Sequence, residues 1–284
     1  MASLQQPTRL TITPAKRSDR PAITRLCSRA VSSSDYVLRI LPTVIDRGGL
    51  FLAWSGNELA GMTNFDPLVD GSGWLSMART DPAWRRRGVA VSLQHYIAAY
   101  ARQRRIRALR LWIVSWNKPS IGACKKGGFK QICEAAHVFR SLRSANRGKV
   151  KPSSTSSEKL QLLLKSSYAA KTQGYIGYQR HFVKLSKPLL TQLQEHGDLY
   201  LIEDSALLVT APDKLFRILQ SNLTILEGPM AKSLTRAEEI AQGMHARRLS
   251  TYIPYNPYEI SVAKQHGFRR TPWGKHCLVF EKEI

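Results

Sequence analysis

Alternating hydrophobic and polar positions divide this chain into short strands and amphipathic helices. Residues 49–54 and 59–65 are apolar runs joined by the turn Ser55-Gly-Asn-Glu58, a pattern typical of a β-hairpin. A further strand is predicted at 74–80, and a helical pattern runs from Gly88 to Arg105. The mixture predicts an α/β (α+β) protein with a mixed, mostly antiparallel central sheet flanked by helices.

The regions on either side of this core extend the same pattern. A short strand at 10–13 and a helix at 19–30 come first, and a second helix, which Ser34 or Asp35 could cap, runs through Ile45. Behind the long helix, the sequence predicts a strand at 108–115, a helical stretch after Asn117, and two strands at 129–134 and 136–142.

A basic turn separates strand 74–80 from the helix that follows it. Its sequence is Asp81-Pro-Ala-Trp-Arg-Arg-Arg-Gly-Val-Ala90. The free N–H groups of a helix's first turn bind phosphate, and Gly88 would let the backbone approach such a ligand closely. Three adjacent arginines before a helix are also typical of a solvated charge run, so the turn alone leaves both interpretations open.

A second motif follows strand 108–115. It consists of Asn117-Lys-Pro-Ser120, a helical stretch and Gly127-Gly-Phe129. Strand, Arg-x-x-Gly-x-Ala turn, helix, strand, Asn-x-x-Ser, helix and Gly-Phe follow one another in an order that resembles the GCN5-related N-acetyltransferase (GNAT) superfamily, over residues 5–145. Arg85, Gly88 and Ala90 match the three defined positions of that family's pyrophosphate-binding turn.

The resemblance implies an acetyl-CoA-dependent N-acyltransferase. In such an enzyme an amine attacks the thioester of acetyl-CoA directly, and no metal takes part. The acceptor would be a small molecule or a protein, and the sequence does not identify it. By position, the residues that would hold acetyl-CoA are Ala78, Arg79, Thr80, Arg85, Arg86, Arg87, Gly88, Val89, Ala90, Asn117 and Ser120.

The acid and the base of the reaction are less evident. Many family members place a Tyr seven residues after the Asn to protonate the leaving thiolate, and Cys124 stands there in this chain. A thiol could donate that proton, and a free Cys is equally typical of a small buried side chain without chemistry. Strand 74–80 carries no carboxylate to serve as base, and Glu58, Asp66 and Asp70 are interpreted as turn or surface residues.

The second motif recurs near the end of the chain. Asn256 to Phe268 repeats Asn117 to Phe129 with the same spacing of twelve residues. This predicts two tandem GNAT-like domains, at 1–145 and 158–284, joined by a basic and Ser-rich linker at 146–157. The second copy has Glu227-Gly-Pro-Met-Ala-Lys232 where the first has its arginine turn. We therefore expect the second domain to keep the fold and to lack a productive CoA site.

Charge and composition bear on the alternative functions and on the cellular location of the protein. The net charge is +23 and both halves are basic, so a nucleic-acid- or ribosome-associated protein is an alternative, beside a non-catalytic acyl-CoA-binding protein. The favoured interpretation of the arginine cluster at 102–110 is a solvated face. Four scattered cysteines and the lack of a long apolar run predict a cytoplasmic protein without a membrane span. The oligomeric state is left open between a monomer and a homodimer.

Overall fold

The computed structural model describes residues 10–143, 148–213 and 218–284. By compactness the chain forms two units, of which the first comprises residues 1–111, 118–130 and 281–284, and the second comprises 112–117 and 131–280. This division falls at Lys130, the first residue of a strand whose residues 135–141 pair with a strand of the second half. It therefore does not follow the predicted linker, and the tandem-domain boundaries stay a prediction.

The first unit is built on a sheet in which neighbours along the chain are also neighbours in space. Its strands lie in the order β1-β2-β3-β4-β5, antiparallel except for the parallel pair β4–β5. Their bounds are β1 Thr11–Pro14, β2 Leu50–Ser55, β3 Glu58–Pro67, β4 Gly73–Thr80 and β5 Ala108–Val114. The predicted hairpin and strands are confirmed to within two residues.

The helices of the first unit bury apolar faces against this sheet. Helix α3 contacts β2, β3 and β4, where Phe51 and Phe65 pack edge-on against Tyr100. Helix α1 contacts β3 and β4. The bounds are α1 Arg20–Ala30, α2 Val37–Arg47, α3 Val89–Arg102 and α4 Lys118–Lys126. Helix α3 ends earlier than the sequence pattern predicts, because Arg105 takes a positive φ of 59°.

The second unit has the strand order β14-β6-β12-β11-β10-β9 and a separate hairpin β7–β8. Its strands are β6 Lys130–Ser141, β7 Tyr175–Tyr178, β8 His181–Lys184, β9 Leu199–Ile202, β10 Ser205–Val209, β11 Gln220–Glu227, β12 Arg248–Pro254, β13 Arg269–Arg270 and β14 Cys277–Glu283. Its helices are α5 Ser157–Leu163, α6 Ser167–Lys171, α7 Lys187–Glu195, α8 Met230–Gly243 and α9 Pro257–Gln265.

Both halves contain the same run of elements. β4-α3-β5-α4 and β11-α8-β12-α9 each place a helix of 14 residues between two parallel strands and end in a helix of nine residues. The short helices also close alike, because the Phe129 N–H bonds to the Cys124 carbonyl and the Phe268 N–H bonds to the Ala263 carbonyl. The repeated sequence motif therefore corresponds to a repeated structure.

Two local predictions differ from the structure. The two strands predicted at 129–134 and 136–142 are one strand, β6, whose register with β12 is unbroken from Ala135 to Ser141. The hairpin β7–β8 was not predicted, since Gln179 and Arg180 make its turn with φ of 45° and 69° and neither is a typical turn residue.

Candidate active site

The parallel strands β4 and β5 pair at one end and then part. In the part of the chain described, their ladder consists of Gly73 with Leu109 and Trp74 with Arg110. The rest of β4, through Thr80, has no partner on that side, so its backbone groups face an open wedge. A wedge between parallel strands offers N–H and C=O groups to an extended ligand, much as an added strand would use them.

A β-bulge lies in the part of β4 that pairs with β3 but not with β5. Met62 pairs with Arg79 and Asn64 with Ser76, so two steps along β3 correspond to three along β4. Met77 takes a φ of 55° at this point, and Ala78 is exposed. A bulge re-aims the backbone and leaves one residue outside the ladder. Met77 and Ala78 therefore fall outside the regular β3–β4 ladder.

The basic turn occupies the loop that follows β4, as predicted. Gly88 is the residue before α3 and has a φ of 79°, and its carbonyl accepts the first helical hydrogen bond, from the Ser92 N–H at 2.9 Å. Arg85, Arg86, Arg87 and Gly88 are exposed. The N–H groups of the first helical turn therefore point at an exposed, cationic loop, which is the arrangement that binds phosphate.

Close packing fixes the position of this turn. A Cβ at Gly61 would lie 2.7 Å from Val89 Cγ1 and 2.8 Å from the Arg79 carbonyl oxygen, so only glycine lets β3 pass here. Asp81 accepts a hydrogen bond from the Ala83 N–H at 3.0 Å and pairs with Arg29 at 3.1 Å. The beginning of α3 is thus held against the sheet from two sides.

Arginine side chains tie the turn and β4 to the segment between α1 and α2. Arg85 donates to the Ala30 carbonyl at 3.2 Å, and Arg79 makes two hydrogen bonds to Asp35, at 2.7 and 2.8 Å. Burial alone would raise the pKa of Asp35, but the hydrogen bonds and charge of Arg79 outweigh it and hold that pKa below its usual value. Tyr36 lies beneath the Arg79 guanidinium, 5.6 Å from ring centroid to Cζ.

A polar group lies beside the wedge, on strands β3 and β4. The Asn64 amide donates to Asp66 at 2.6 Å and to Ser76 at 3.4 Å. Asp66 is opposite Trp74, the last residue of β4 that pairs with β5. Burial raises the pKa of Asp66, although Arg47 and the Asn64 hydrogen bond act against the rise. Interpreting Asp66 as a turn or surface residue was therefore wrong, because β3 runs on to Pro67.

A buried ion network lies where β4 and β5 join. Arg110 donates to Glu281 at 2.6 Å, to Asp70 at 2.5 Å and to Ser72 at 2.7 Å, and only 4% of its side chain is exposed. Arg110 is therefore not part of a solvated arginine face, and Asp70 is not a surface residue. With two carboxylates around one guanidinium, the network fixes the closed end of the wedge.

Cys124 is fully buried in α4, and burial raises the pKa of its thiol to about 12. Ser120 lies in the first turn of α4 and is exposed. Asn117 precedes α4 within the second compact unit, and its N–H bonds to the Val114 carbonyl at 3.0 Å. The predicted roles of all three stay predictions. The bulge and Asn64 were missed at the sequence level, since the residues of β3 and β4 carry no pattern that distinguishes them.

The second copy has a different loop at the position of the basic turn. Two residues, Gly228 and Pro229, separate β11 from α8, compared with residues 81–88 in the first copy. A Cβ at Gly228 would lie 2.6 Å from the Asp204 carbonyl oxygen, so the loop is packed closely against the β9–β10 turn. Glu227 pairs with Lys159 at 3.1 Å. This loop offers neither the arginines nor the room of the first one.

Within the described residues, no group of three or more His, Cys, Asp and Glu side chains has the arrangement that would hold a metal ion. Among the helices of the same ranges, none combines the length and apolar character needed to cross a membrane.

Comparison with known proteins relates part of the chain to a protein family. Residues 22–129 match the model of the acetyltransferase (GNAT) family. A structure from Thermoplasma acidophilum assigned to the acetyltransferases is 15% identical, has a TM-score of 0.61, and the alignment covers 96% of this chain and 100% of that one. A GCN5-related N-acetyltransferase from Sphaerobacter thermophilus is 12% identical, with a TM-score of 0.56 and coverage of 98% and 97%.

Sequence similarity beyond the family model is slight. No curated protein matches the chain. The similar structures establish the fold over nearly the whole length, and the family model covers the basic turn, β5 and α4. The chain carries a GNAT acetyltransferase domain, and the resemblance seen in its motifs is confirmed. It is an acyltransferase of the N-acetyltransferase class.

Proposed function

We propose that this protein transfers the acetyl group of acetyl-CoA to a primary amine, and that its N-terminal GNAT domain does so alone. The observation that carries this proposal is the open wedge of β4 next to an exposed arginine turn at the start of α3. The turn would hold the pyrophosphate through the N–H groups of Val89 and Ala90 and the nearby arginines. The pantetheine arm would then run along β4 toward Trp74.

The bulge supports a role for the β4 backbone in catalysis. An acyl transfer from a thioester develops negative charge on the carbonyl oxygen, and a preorganised backbone N–H stabilises that charge. Met77 and Ala78 lie in the middle of the unpaired part of β4. A backbone N–H of this bulge would donate to the thioester oxygen while the amine attacks the carbonyl carbon. The acetyl group then leaves sulfur for nitrogen, and CoA departs as a thiolate.

Asp66 is the side chain that we assign as general base. The acyl end of the arm would lie between the bulge and the closed end of the wedge, and Asp66 is opposite Trp74 at that end. A base must be deprotonated yet able to accept a proton, and a carboxylate with a raised pKa is better suited to this than an ordinary one. Asn64 holds one Asp66 oxygen at 2.6 Å and thereby orients the carboxylate.

Cys124 fits the role of acid less well. Its side chain has no exposed surface, and a thiol with a pKa of about 12 releases its proton less readily than an ordinary one. We therefore assign Cys124 to packing within α4 and water to protonation of the CoA thiolate. The second copy has no CoA site in this proposal, since its loop between β11 and α8 is two residues long and follows Glu227, the last residue of β11.

Turnover with a panel of amines tests the proposal. Full-length protein is mixed with acetyl-CoA and primary amines of several classes, and free CoA thiol is followed with a thiol reagent. Release of thiol that requires both protein and amine, with an acetylated amine recovered by mass spectrometry, is the expected result. Binding of acetyl-CoA without turnover across the panel would instead favour a non-catalytic acyl-CoA-binding protein.

A further inference from the structure

Exposed cations gather at the end of α3 that lies farther from the arginine turn. Helix α3 begins after Gly88 and ends at Arg102, and its 14 residues span about 20 Å. Arg104, Arg105 and Arg107 follow directly, and all three are exposed. The Arg105 N–H bonds to the Arg102 carbonyl at 2.9 Å, so residues 102–105 form one tight turn. A phosphate bound at Gly88 is out of reach of these side chains.

Two other segments bring further cations to this end of the first unit. The Ile284 N–H bonds to the Arg107 carbonyl at 2.9 Å, and Lys282 Nζ donates to the Gly127 carbonyl at 2.7 Å. Helix α4 ends one residue before that carbonyl. The segments 102–107, 125–130 and 281–284 are therefore adjacent. We call their cations the basic patch, which consists of Arg102, Arg104, Arg105, Arg107, Lys125, Lys126, Lys130 and Lys282.

Acidic side chains offset the basic patch only slightly. Its three segments contain Glu281 and Glu283, and Glu281 is held by Arg110 at 2.6 Å. Glu283 is exposed, and no cation of the patch forms a salt bridge with a described residue. Burial lowers the pKa of Lys282, and the charge of Arg102 lowers it further. Like charges thus face one another in the patch, and a bound anion would relieve their repulsion.

The dipoles of α3 and α4 account for only some of these charges. A cation in the last turn of a helix is stabilised by the helix dipole, which applies to Arg102, Lys125 and Lys126. The other cations of the patch lie outside the helices. Among them, Arg105 takes a φ of 59°, a conformation that glycine adopts without strain. The chain therefore places a guanidinium where the backbone alone would favour glycine.

The side chains of the patch fit phosphate groups. Guanidinium groups bind phosphate oxygens through paired N–H donors. The Arg104 guanidinium lies over the Tyr100 ring at 3.5 Å and donates to the Tyr100 carbonyl at 3.3 Å, which fixes its plane and leaves further N–H groups for a ligand. Because the cations are spread over three segments, only a ligand with several negative charges contacts many of them together.

The apolar residues of the same segments narrow the choice of polyanion. Ile106 and Phe129 are buried. Within these three described segments, no exposed ring is available to stack on an unpaired base, and no exposed apolar side chain is available to enter a bilayer. A nucleic-acid duplex needs neither, because its bases are already stacked and its phosphates lie on the outside.

We propose that the basic patch binds a nucleic-acid duplex through its phosphates, without reading the base sequence. Contacts of this kind release counterions from the duplex, so the affinity falls steeply as salt is added. Since α3 separates the patch from the arginine turn by about 20 Å, duplex and acetyl-CoA would bind independently. Duplex binding therefore does not depend on acyl transfer.

Two triple variants with the same loss of charge test the proposal. One alters exposed arginines of the basic patch, and the other alters exposed arginines of the turn before α3. Full-length proteins are titrated into short labelled DNA duplexes of two unrelated sequences, and fluorescence anisotropy is measured at salt concentrations around 0.1 M. The patch variant carries Arg104→Gln, Arg105→Gln and Arg107→Gln, and the turn variant carries Arg85→Gln, Arg86→Gln and Arg87→Gln.

The two variants should separate duplex binding from acetyl-CoA binding. We expect the parent to bind both duplexes equally, and the patch variant to bind them about tenfold or more weakly. The slope of log affinity against log salt should become shallower by about 3 in the patch variant, since each lost phosphate contact removes about 0.9. The turn variant should bind the duplexes like the parent, and acetyl-CoA should not displace them.

Three results would overturn the proposal. They are a parent protein that does not bind the duplexes, equal weakening in the two variants, and a patch variant that loses binding to phosphatidylserine vesicles but not to the duplex. An unchanged Tm shows that the patch variant is folded; should it unfold, Lys125→Gln combined with Lys126→Gln gives a second test at the exposed end of α4. Failure of the parent to bind acetyl-CoA would contradict the proposed function and leave the duplex titrations decisive here.

Discussion

The guanidinium of Arg79 holds the carboxylate of Asp35 with two hydrogen bonds, at 2.7 and 2.8 Å, and so joins β4 to the start of α2. Asp35 has no exposed side-chain surface and Arg79 has 14%. Asp35 also accepts a hydrogen bond from the Val37 N–H at 3.2 Å. The pair holds the segment between α1 and α2 over the strand that carries the proposed thioester site.

Removal of one partner should therefore destabilise the protein. Asp35→Ala leaves the Arg79 charge buried and unpaired, and we expect the free energy of unfolding to fall by about 3–5 kcal/mol. Chemical denaturation measures this. Asp46→Ala, which breaks the exposed pair with Arg17, is the control and should change stability little. Equal loss in the two variants would show that burial of the Asp35 pair adds nothing.

The same pair predicts a pH dependence of stability. The folded-state pKa of Asp35 lies below its ordinary value of ~3.9, so its contribution is complete above about pH 5. It is lost as the pH falls through the folded-state pKa, because the proton must then be taken up against the pull of Arg79. Denaturation midpoints of the parent and Asp35→Ala, measured between pH 7 and pH 3, should converge at the acid end. Parallel curves would contradict the prediction.

Asp66→Asn tests the general base. We expect kcat to fall by about 10²- to 10⁴-fold, with the KM for acetyl-CoA near that of the parent, because only proton removal is affected. Burial raises the pKa of Asp66, so parent kcat/KM should fall as the pH drops through a value above the ordinary ~3.9 of an aspartate. This decline of kcat/KM at acid pH, the acid limb of the pH profile, should be absent in Asp66→Asn. Glu58→Gln, at the exposed start of β3, is the control. Persistence of the limb in Asp66→Asn would assign the base elsewhere.

Cys124→Ala separates packing from chemistry. Since the thiol is buried and its pKa is raised to about 12, we expect kcat to stay within about threefold of the parent. Stability should fall by about 1–3 kcal/mol, in the usual range for a truncated core side chain. Steady-state kinetics and denaturation give the two quantities. A folded Cys124→Ala protein with kcat reduced by a hundredfold would restore Cys124 as the acid.

Much of the first unit could be predicted from the sequence, because its motifs place glycine and arginine residues at fixed spacings. The turn at Gly88 and the Gly-Phe closure at Phe129 each require particular residues, so they leave a pattern. The wedge between β4 and β5 leaves no such pattern in the sequence, because the separation of two strands depends on where their pairing stops. The bulge at Met77 forces a positive φ on an ordinary residue, which no local preference predicts.

Charged residues were harder to place than apolar ones. Arg110 stands in a run of arginines that looks like a solvated surface, and only tertiary structure brings Asp70 and Glu281 to it. Asp66 precedes a Gly-containing turn and was mistaken for part of it. The partners of Arg110 lie 40 and 171 residues away, so spacing along the chain carries no information about them. Asp66 has its partner Asn64 on the same strand, and it was misplaced because β3 continues to Pro67, beyond its predicted end.

Calorimetric titration of acetyl-CoA into the parent and Gly88→Glu proteins tests the central claim most directly. We predict one site per chain in the parent and none in Gly88→Glu, because a carboxylate would then occupy the phosphate position. Gly56→Glu is the matched control: Gly56 also has a positive φ, of 56°, and open space around it, in the β2–β3 turn. It should bind like the parent. Two sites in the parent, or a Gly88→Glu protein that still binds acetyl-CoA, would contradict a single N-terminal CoA site at this turn.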